Sequence, residues 1–231
     1  MHLFLCPSGD DELKHLNEEE SAHAVRVLRL RIGDPMLLTD GEGTFYEAVV
    51  HEADKHGCVA RVTARKDREV RPFRIHIAVA PTKNSDRLEW FAEKATELGI
   101  DEITPLICKH SERKVQKTDR LKKTVLAAMK QSMRCHLPMV NEPIDFAAFI
   151  KKENSDKRYI ASQGATDELL HVAVKKTNVC IVIGPEGDFS VDELESASSA
   201  GFQPVGLGPA RLRTETAALA ACHIINLINQ A

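Results

Sequence analysis

The chain has 231 residues, 43% of them hydrophobic and 28% charged, and a formal net charge of −3. This length suits one large domain or two small ones, and the balance of apolar and charged residues excludes a disordered or low-complexity chain. No run of eighteen apolar residues occurs, and the first eleven residues lack a basic start before an apolar core, so neither a membrane helix nor a secretory signal is expected. Six cysteines stand at positions 6, 58, 108, 135, 180 and 222, with no C-x-x-C pair. They read as reduced thiols of a cytoplasmic protein, and no metal site is expected. The acidic total argues against a nucleic-acid partner, but its distribution does not. Lys109 to Arg134 carries nine Lys/Arg against two acids, enough to hold phosphate locally.

Residues 1–72 read as β-rich with one helical insert. Leu3 to Cys6 is a short apolar start. Asn17 can cap a helix to Val27, with Glu18 to Glu20 suited to its first turn. Gly33-Asp34 turns into a strand at Met36 to Thr39. Asp40-Gly41 marks a hairpin into Thr44 to His51, and His56-Gly57 turns into Cys58 to Ala64. Short strands with tight turns suggest a small barrel. The charged stretch Lys66 to Arg71, followed by Pro72, is the expected domain boundary.

From residue 73 the pattern changes. Ile75 to Ala80 reads as a strand. Asp86 and Glu89 have capping-box spacing, Leu88, Phe91, Ala95 and Leu98 share one helical face, and Gly99 ends the helix. Ile103 to Cys108 is a strand and Asp119 to Met133 a helix. Strands follow at Tyr159 to Ser162 and Val179 to Ile183. Ser190 with Glu193 caps a helix closed by Gly201. Val205 to Gly208 is the last strand, and Thr214 to Ile228 the last helix. Alternating strands and helices give an α/β domain with a mostly parallel sheet.

Ligands in such domains sit at the carboxyl ends of the strands. Two stretches there carry the chemistry: Gly184-Pro185-Glu186-Gly187-Asp188-Phe189, and Leu207 to Thr216, which holds Gly208, Pro209, Arg211, Arg213 and Glu215. Their glycines admit backbone close to a ligand, and their charges make a composite site more than a pair of strand ends. No G-x-G-x-x-G, Walker A loop or G-x-S-x-G elbow is present, which disfavours the usual dinucleotide, ATP and esterase sites.

These stretches resemble those of the SPOUT methyltransferases, and within them the RsmE type, which methylates N3 of one uracil in 16S ribosomal RNA. His23 to Arg31 with Gly33-Asp34 is similar to that family's N-terminal domain. Lys83, Lys94, Thr96-Glu97-Leu98-Gly99, Pro105, Gln131-Ser132, Arg134 and Pro138 are similar to its middle. Two positions depart: Asp188 stands where the family often has a second glycine, and Ala210 where it often has arginine. The resemblance implies a PUA-like RNA-binding β-barrel at 1–72 and a SPOUT methyltransferase domain at 73–231 tied in a trefoil knot. It further implies a homodimer that binds S-adenosyl-L-methionine. Cofactor contacts carry over to Gly184, Pro185, Glu186, Gly187, Leu207, Gly208, Leu212, Thr216 and Ala217.

Because uracil N3 must lose its proton, a base or a stabiliser of the uracil anion is needed. Arg213 is the expected stabiliser. Glu186 and Glu215 are candidate bases, each with a structural alternative: holding its loop for Glu186, and supporting the last helix for Glu215. Expected phosphate contacts are Arg26, Arg29, Arg31, Lys83, Arg113, Lys130 and Arg134. The expected partner is 16S rRNA within the small ribosomal subunit. A non-catalytic RNA-binding or assembly factor, or a methyltransferase acting on another RNA such as tRNA, are the competing readings.

Overall fold

The computed structural model describes residues 2–54, 57–67, 71–115 and 117–230. His56 of the expected turn and residues 68–70 of the expected boundary lie outside them. The chain divides into two compact units, Met1–Val70 with Leu126–Leu137 and Arg71–Val125 with Pro138–Ala231.

The first unit is built on β1 (Leu3–Leu5), β2 (Leu13–His15), β3 (Pro35–Thr39), β4 (Thr44–Ala53) and β5 (Cys58–Asp67). They form one curled sheet in the order β1-β3-β4-β5-β2. Register shifts in the β4/β5 pair, between Glu47 and Ala48 and between Val50 and Glu52, bend the long strands. The bend wraps them around Phe4, Leu38, Tyr46, Val50 and Ala60. The β3–β4 turn is set by Asp40, whose Oδ1 accepts the N–H groups of Glu42 and Thr44 at 2.8 and 3.1 Å.

Two features differ from expectation. Strand β2 has the sequence Leu-Lys-His, with too few apolar residues to announce it. Its Lys14 is nonetheless buried, donating to the carbonyls of Pro7 and Gly9 at 3.1 and 2.7 Å. The expected helix to Val27 splits. Asn17 caps α1 (Glu18–Ala22) by accepting the Glu20 N–H at 2.8 Å, and a π-helical turn follows over His23–Val27. The widened turn keeps Ala24 fully buried, and Arg29 then reverses the chain at φ 56°.

The second unit holds β6 (Ile75–Val79), α2 (Ser85–Leu98), β7 (Glu102–Ile107), the start of α3 (Asp119–Gln131), β8 (Met139–Val140), β9 (Ile144–Asp145), α4 (Phe146–Lys152), β10 (Lys157–Ala161), α5 (Leu169–Val172), β11 (Val179–Ile183), α6 (Val191–Ser199), β12 (Gln203–Val205) and α7 (Thr214–Gln230). Its sheet runs β12-β10-β11-β6-β7-β8, with β9 also on β7, and every pair is parallel. Strands β6 and β11 are buried along their whole length, as central strands covered on both faces must be. Alternate residues serve opposite faces. Ile75, Ile77, Val79, Ile181 and Ile183 pack with Leu88 and Phe91 of α2 and Ala218 and Ile225 of α7. Ala78, Cys180 and Val182 pack with Phe146 and Phe149 of α4 and with Phe202.

Helix α2 is capped by Asn84, not by Asp86: Asn84 Oδ1 accepts the Asp86 N–H at 3.0 Å. Ser190 and Glu193 form the expected capping box on α6. The last strand lies two residues earlier than expected, Gln203–Val205, because only these residues reach β10. Helix α3 stops at Gln131, and Met133 turns left-handed at φ 54°. All six thiols are free and buried. Burial pushes Cys6 up to about 11 and raises Cys58 and Cys108 as well, which disfavours the thiolate of each at neutral pH.

Candidate active site

Strand order creates the site. Strands β12, β10 and β11 are neighbours, so the three loops leaving their carboxyl ends converge. They are 162–168, 184–190 and 206–213, and together they enclose a cavity of about 580 Å³. This lies within the range of roughly 300–1,000 Å³ usual for small-molecule sites. Ile183, Leu207, Leu212 and Ala217 give it apolar wall, and Glu168, Glu186 and Arg213 give it charge.

Each loop is held by identifiable bonds. Thr214, buried at the start of α7, donates its hydroxyl to the Gly184 carbonyl at 3.0 Å, tying the third loop to the second. The second loop turns at Pro185, whose carbonyl accepts the Asp188 N–H at 3.0 Å. Asp188 sits at φ 61°, the left-handed region that aspartate tolerates better than most side chains. Here aspartate serves where the resemblance leads one to expect glycine. His110 Nδ1 lies 3.2 and 3.1 Å from the carbonyls of Gly187 and Asp188. A side chain at Gly184 would press on the Phe189 ring at 3.0 Å, so only glycine fits without a shift.

The third loop depends on the first. Gly206 N–H donates to Asp167 O at 2.7 Å, Leu169 N–H to Gly206 O at 3.0 Å, and Gly208 N–H to Glu168 Oε2 at 2.8 Å. A Cβ on Gly206 would meet that carboxylate at 2.7 Å. Gly208 adopts φ +102° with nothing within 4 Å of an added Cβ, so backbone rather than space demands glycine there.

Of the residues singled out from sequence, Gly184, Pro185, Glu186, Leu207, Gly208, Leu212, Arg213 and Ala217 line this cavity. Gly187 does not; it packs on His110. Glu215 and Thr216 line a separate hollow with Asp86, Arg87 and Trp90. Glu215 is buried, with Arg87 Nε 3.8 Å from its Oε1. It is the second residue of α7, and it does not line the cavity as Thr214 and Ala217 of the same helix do. Sequence reading missed the 162–168 loop and Glu168. Its signal was faint, a Gln163-Gly164 pair after a strand.

Arg213 is exposed at the cavity, and among the described residues its guanidinium has no ion-pair or hydrogen-bond partner. Glu186 is half-buried, and its Oε1 accepts the Lys83 N–H at 3.4 Å. Lys83 Nζ lies 3.2 Å from Glu112, and Arg113 donates to the Lys83 carbonyl at 3.2 Å.

The remaining basic candidates lie in the first unit. Arg26, Arg29 and Arg31 are exposed, and no carboxylate pairs with them among the described residues. Lys130 differs: its Nζ is bound to the buried carboxylate of Glu20 at 2.6 Å, so its charge is already neutralised. Among the described residues no helix is long and apolar enough to cross a membrane.

Residues 69–226 match the family model described as RNA methyltransferase domain, and residues 16–63 the one described as RNA methyltransferase PUA domain. An RNA methyltransferase built from these two parts is the class that fold and cavity define. A curated relative from Rickettsia conorii, Ribosomal RNA small subunit methyltransferase E, is 31% identical across 92% of this chain and 89% of its own. The crystal structure of the protein of that name from Neisseria gonorrhoeae, bound to S-adenosyl methionine, superposes with a TM-score of 0.89 at 27% identity. It covers 99% of this chain and 98% of that one. A structure described as a probable rRNA-methyltransferase from Porphyromonas gingivalis is 39% identical with a TM-score of 0.85, over 100% and 99% of the two chains. The chain belongs to the ribosomal RNA small subunit methyltransferase E family.

Proposed function

We propose that this protein uses S-adenosyl-L-methionine to methylate N3 of one uridine in 16S ribosomal RNA, in the cytoplasm, with the small subunit as substrate. The observation that carries the reading is the cavity at three strand ends with an unpaired arginine at its wall. The cavity fits the cofactor in size and chemistry. Its glycine-lined loops offer backbone to an adenine edge, its apolar residues suit the ring faces, and Glu168 and Glu186 suit a cationic sulfonium. When bound, the cofactor supplies an electrophilic methyl group.

The residues of the chain would supply the rest. Gly184, Pro185, Leu207, Gly208, Leu212 and Ala217 hold and orient the ligand. Arg213 stabilises negative charge on a uracil carbonyl as N3 loses its proton. Glu186, half-buried at the cavity wall, takes that proton in this reading. Glu215 acts structurally, through Arg87. We assign residues 1–72 as the RNA-binding domain and 73–231 as the catalytic domain, with the cavity loops in a trefoil knot and the protein a homodimer.

Mass spectrometry of 16S rRNA from cells lacking the gene tests the reaction and the substrate together. Loss of one 3-methyluridine is expected. Unchanged 16S rRNA with a methyl lost from another RNA favours the tRNA-type reading, and RNA binding without any lost methyl favours an assembly factor.

Arg26, Arg29 and Arg31 are the phosphate contacts of the first unit. Changing all three to alanine should weaken rRNA binding and flatten the dependence of log affinity on log salt by about 2 to 3, near one per lost contact. A filter-binding salt series measures this; an unaltered slope removes these residues from the interface.

A further inference from the structure

At the amino ends of the strands, the edge of the second unit's sheet opposite the active site, lies a group of side chains that the methyl-transfer reading does not use. His76 of β6 and Cys180 of β11 are direct cross-strand partners in the parallel ladder. Both fall on the face that carries Ala78 and Val182. Glu153, which closes α4, reaches the same point. One donor atom from each, the imidazole nitrogen, the thiol sulfur and a carboxylate oxygen, lies within 4.8 Å of the other two. His76 and Cys180 are buried, and the Glu153 side chain is only 8% exposed.

From this geometry we infer a divalent zinc site formed by His76, Glu153 and Cys180. The donor set is that of zinc, imidazole with thiolate and carboxylate. Around the three donors stands the outer layer that metal ligands require. His76 Nε2 is 2.7 Å from Thr104 Oγ1, which also accepts a hydrogen from Asn141 at 2.8 Å. His76 Nδ1 lies 2.9 Å from Glu153 Oε2, and a metal would take the place of the proton shared between them while Nε2 keeps its bond to Thr104. The other carboxylate oxygen of Glu153 is fixed by Ser155 N–H and Oγ at 2.8 and 2.7 Å.

Charge balances at the site. One carboxylate and one thiolate neutralise a divalent ion, and the thiol proton leaves to solvent as the S–metal bond forms. Glu102, 3.8 Å from His76, is itself paired with Arg74 at 3.6 Å. Three protein ligands leave a fourth position. His76 and Glu153 also line a cavity of about 420 Å³ with Arg74, Glu102, Asn141 and Asn178, from which water or a small anion could complete the coordination. The metal would clip the end of α4 to the two central strands.

The test uses the full-length protein, stripped with a chelator and titrated with cobalt(II), whose thiolate bond gives a near-ultraviolet charge-transfer band. About one cobalt per chain is expected, with a band that zinc abolishes. Absence of the band overturns the site. So does its persistence in Cys180→Ala, which would place the metal on another thiol. Thr104→Val preserves shape and should weaken cobalt affinity by about 10- to 100-fold through loss of the His76 contact. It decides the matter if Cys180→Ala does not fold, since unchanged affinity there also overturns the site. The readout is metal binding, so it stands apart from the methyl-transfer reading.

Discussion

Replacing Arg213 with alanine is expected to lower the single-turnover rate of methyl transfer by about 10²- to 10³-fold, the usual cost of losing one donor aimed at a developing anion. Cofactor affinity should stay close to that of the unaltered protein. The split follows from the structure. Among the described residues, the Arg213 side chain makes no ion pair or hydrogen bond, so its removal breaks no internal contact. The loop that carries it is fixed independently, by Thr214 on Gly184 O and Glu168 on Gly208 N–H. An unpaired guanidinium at the cavity is therefore available for charge that arises only as the reaction proceeds. Arg213→Lys keeps the charge but not the planar fork and should recover only part of the rate. Single-turnover methyl incorporation, with calorimetric titration of the cofactor alongside, measures both quantities. If the affinity loss equals the rate loss, Arg213 is a cofactor ligand and the assignment fails.

Glu168→Ala should do the reverse, raising the cofactor dissociation constant by about 10- to 100-fold, in line with about 1.5–3 kcal/mol for a hydrogen bond to a charged group. Glu168 Oε2 accepts the Gly208 N–H, and the same carboxylate fills the space beside Gly206. Without it, a left-handed glycine loses its anchor and the third loop loses its shape. Ordering that loop would then fall on the binding step. At saturating cofactor the rate should recover, because no proposed proton-transfer group has been touched. Calorimetry with rates at saturation checks this, and an unchanged dissociation constant would show that the loop is held by other bonds.

Much of the fold is legible in the chain's pattern because its central strands are wholly apolar and its helices carry cap signals. Val179 to Ile183 and the Ser190/Glu193 capping box are local features, set by burial and by one turn of backbone. The errors are also local in kind. Asn84 and Asp86 are two residues apart and both can cap; the one whose oxygen meets the free N–H is chosen by backbone geometry. Strand β2 escapes notice because its pairing with β5, and not its composition, makes it a strand.

The amino-acid order by itself determined the two glycine- and proline-rich bends, the type of each major element and the family they resemble. These depend on neighbours within a few residues, where φ/ψ limits and hydrophobic period act. The tertiary structure alone decided which loops meet. Strand β10 lies between β11 and β12, so the 162–168 loop and Glu168 enter the cavity. Glu215, two residues beyond Arg213, lines a separate hollow with Arg87. Lys130 pairs with Glu20, 110 residues distant in the chain. His76 and Cys180 become neighbours only through the register of two parallel strands. Contacts of this range are set by how whole elements pack, and no short stretch of sequence carries them.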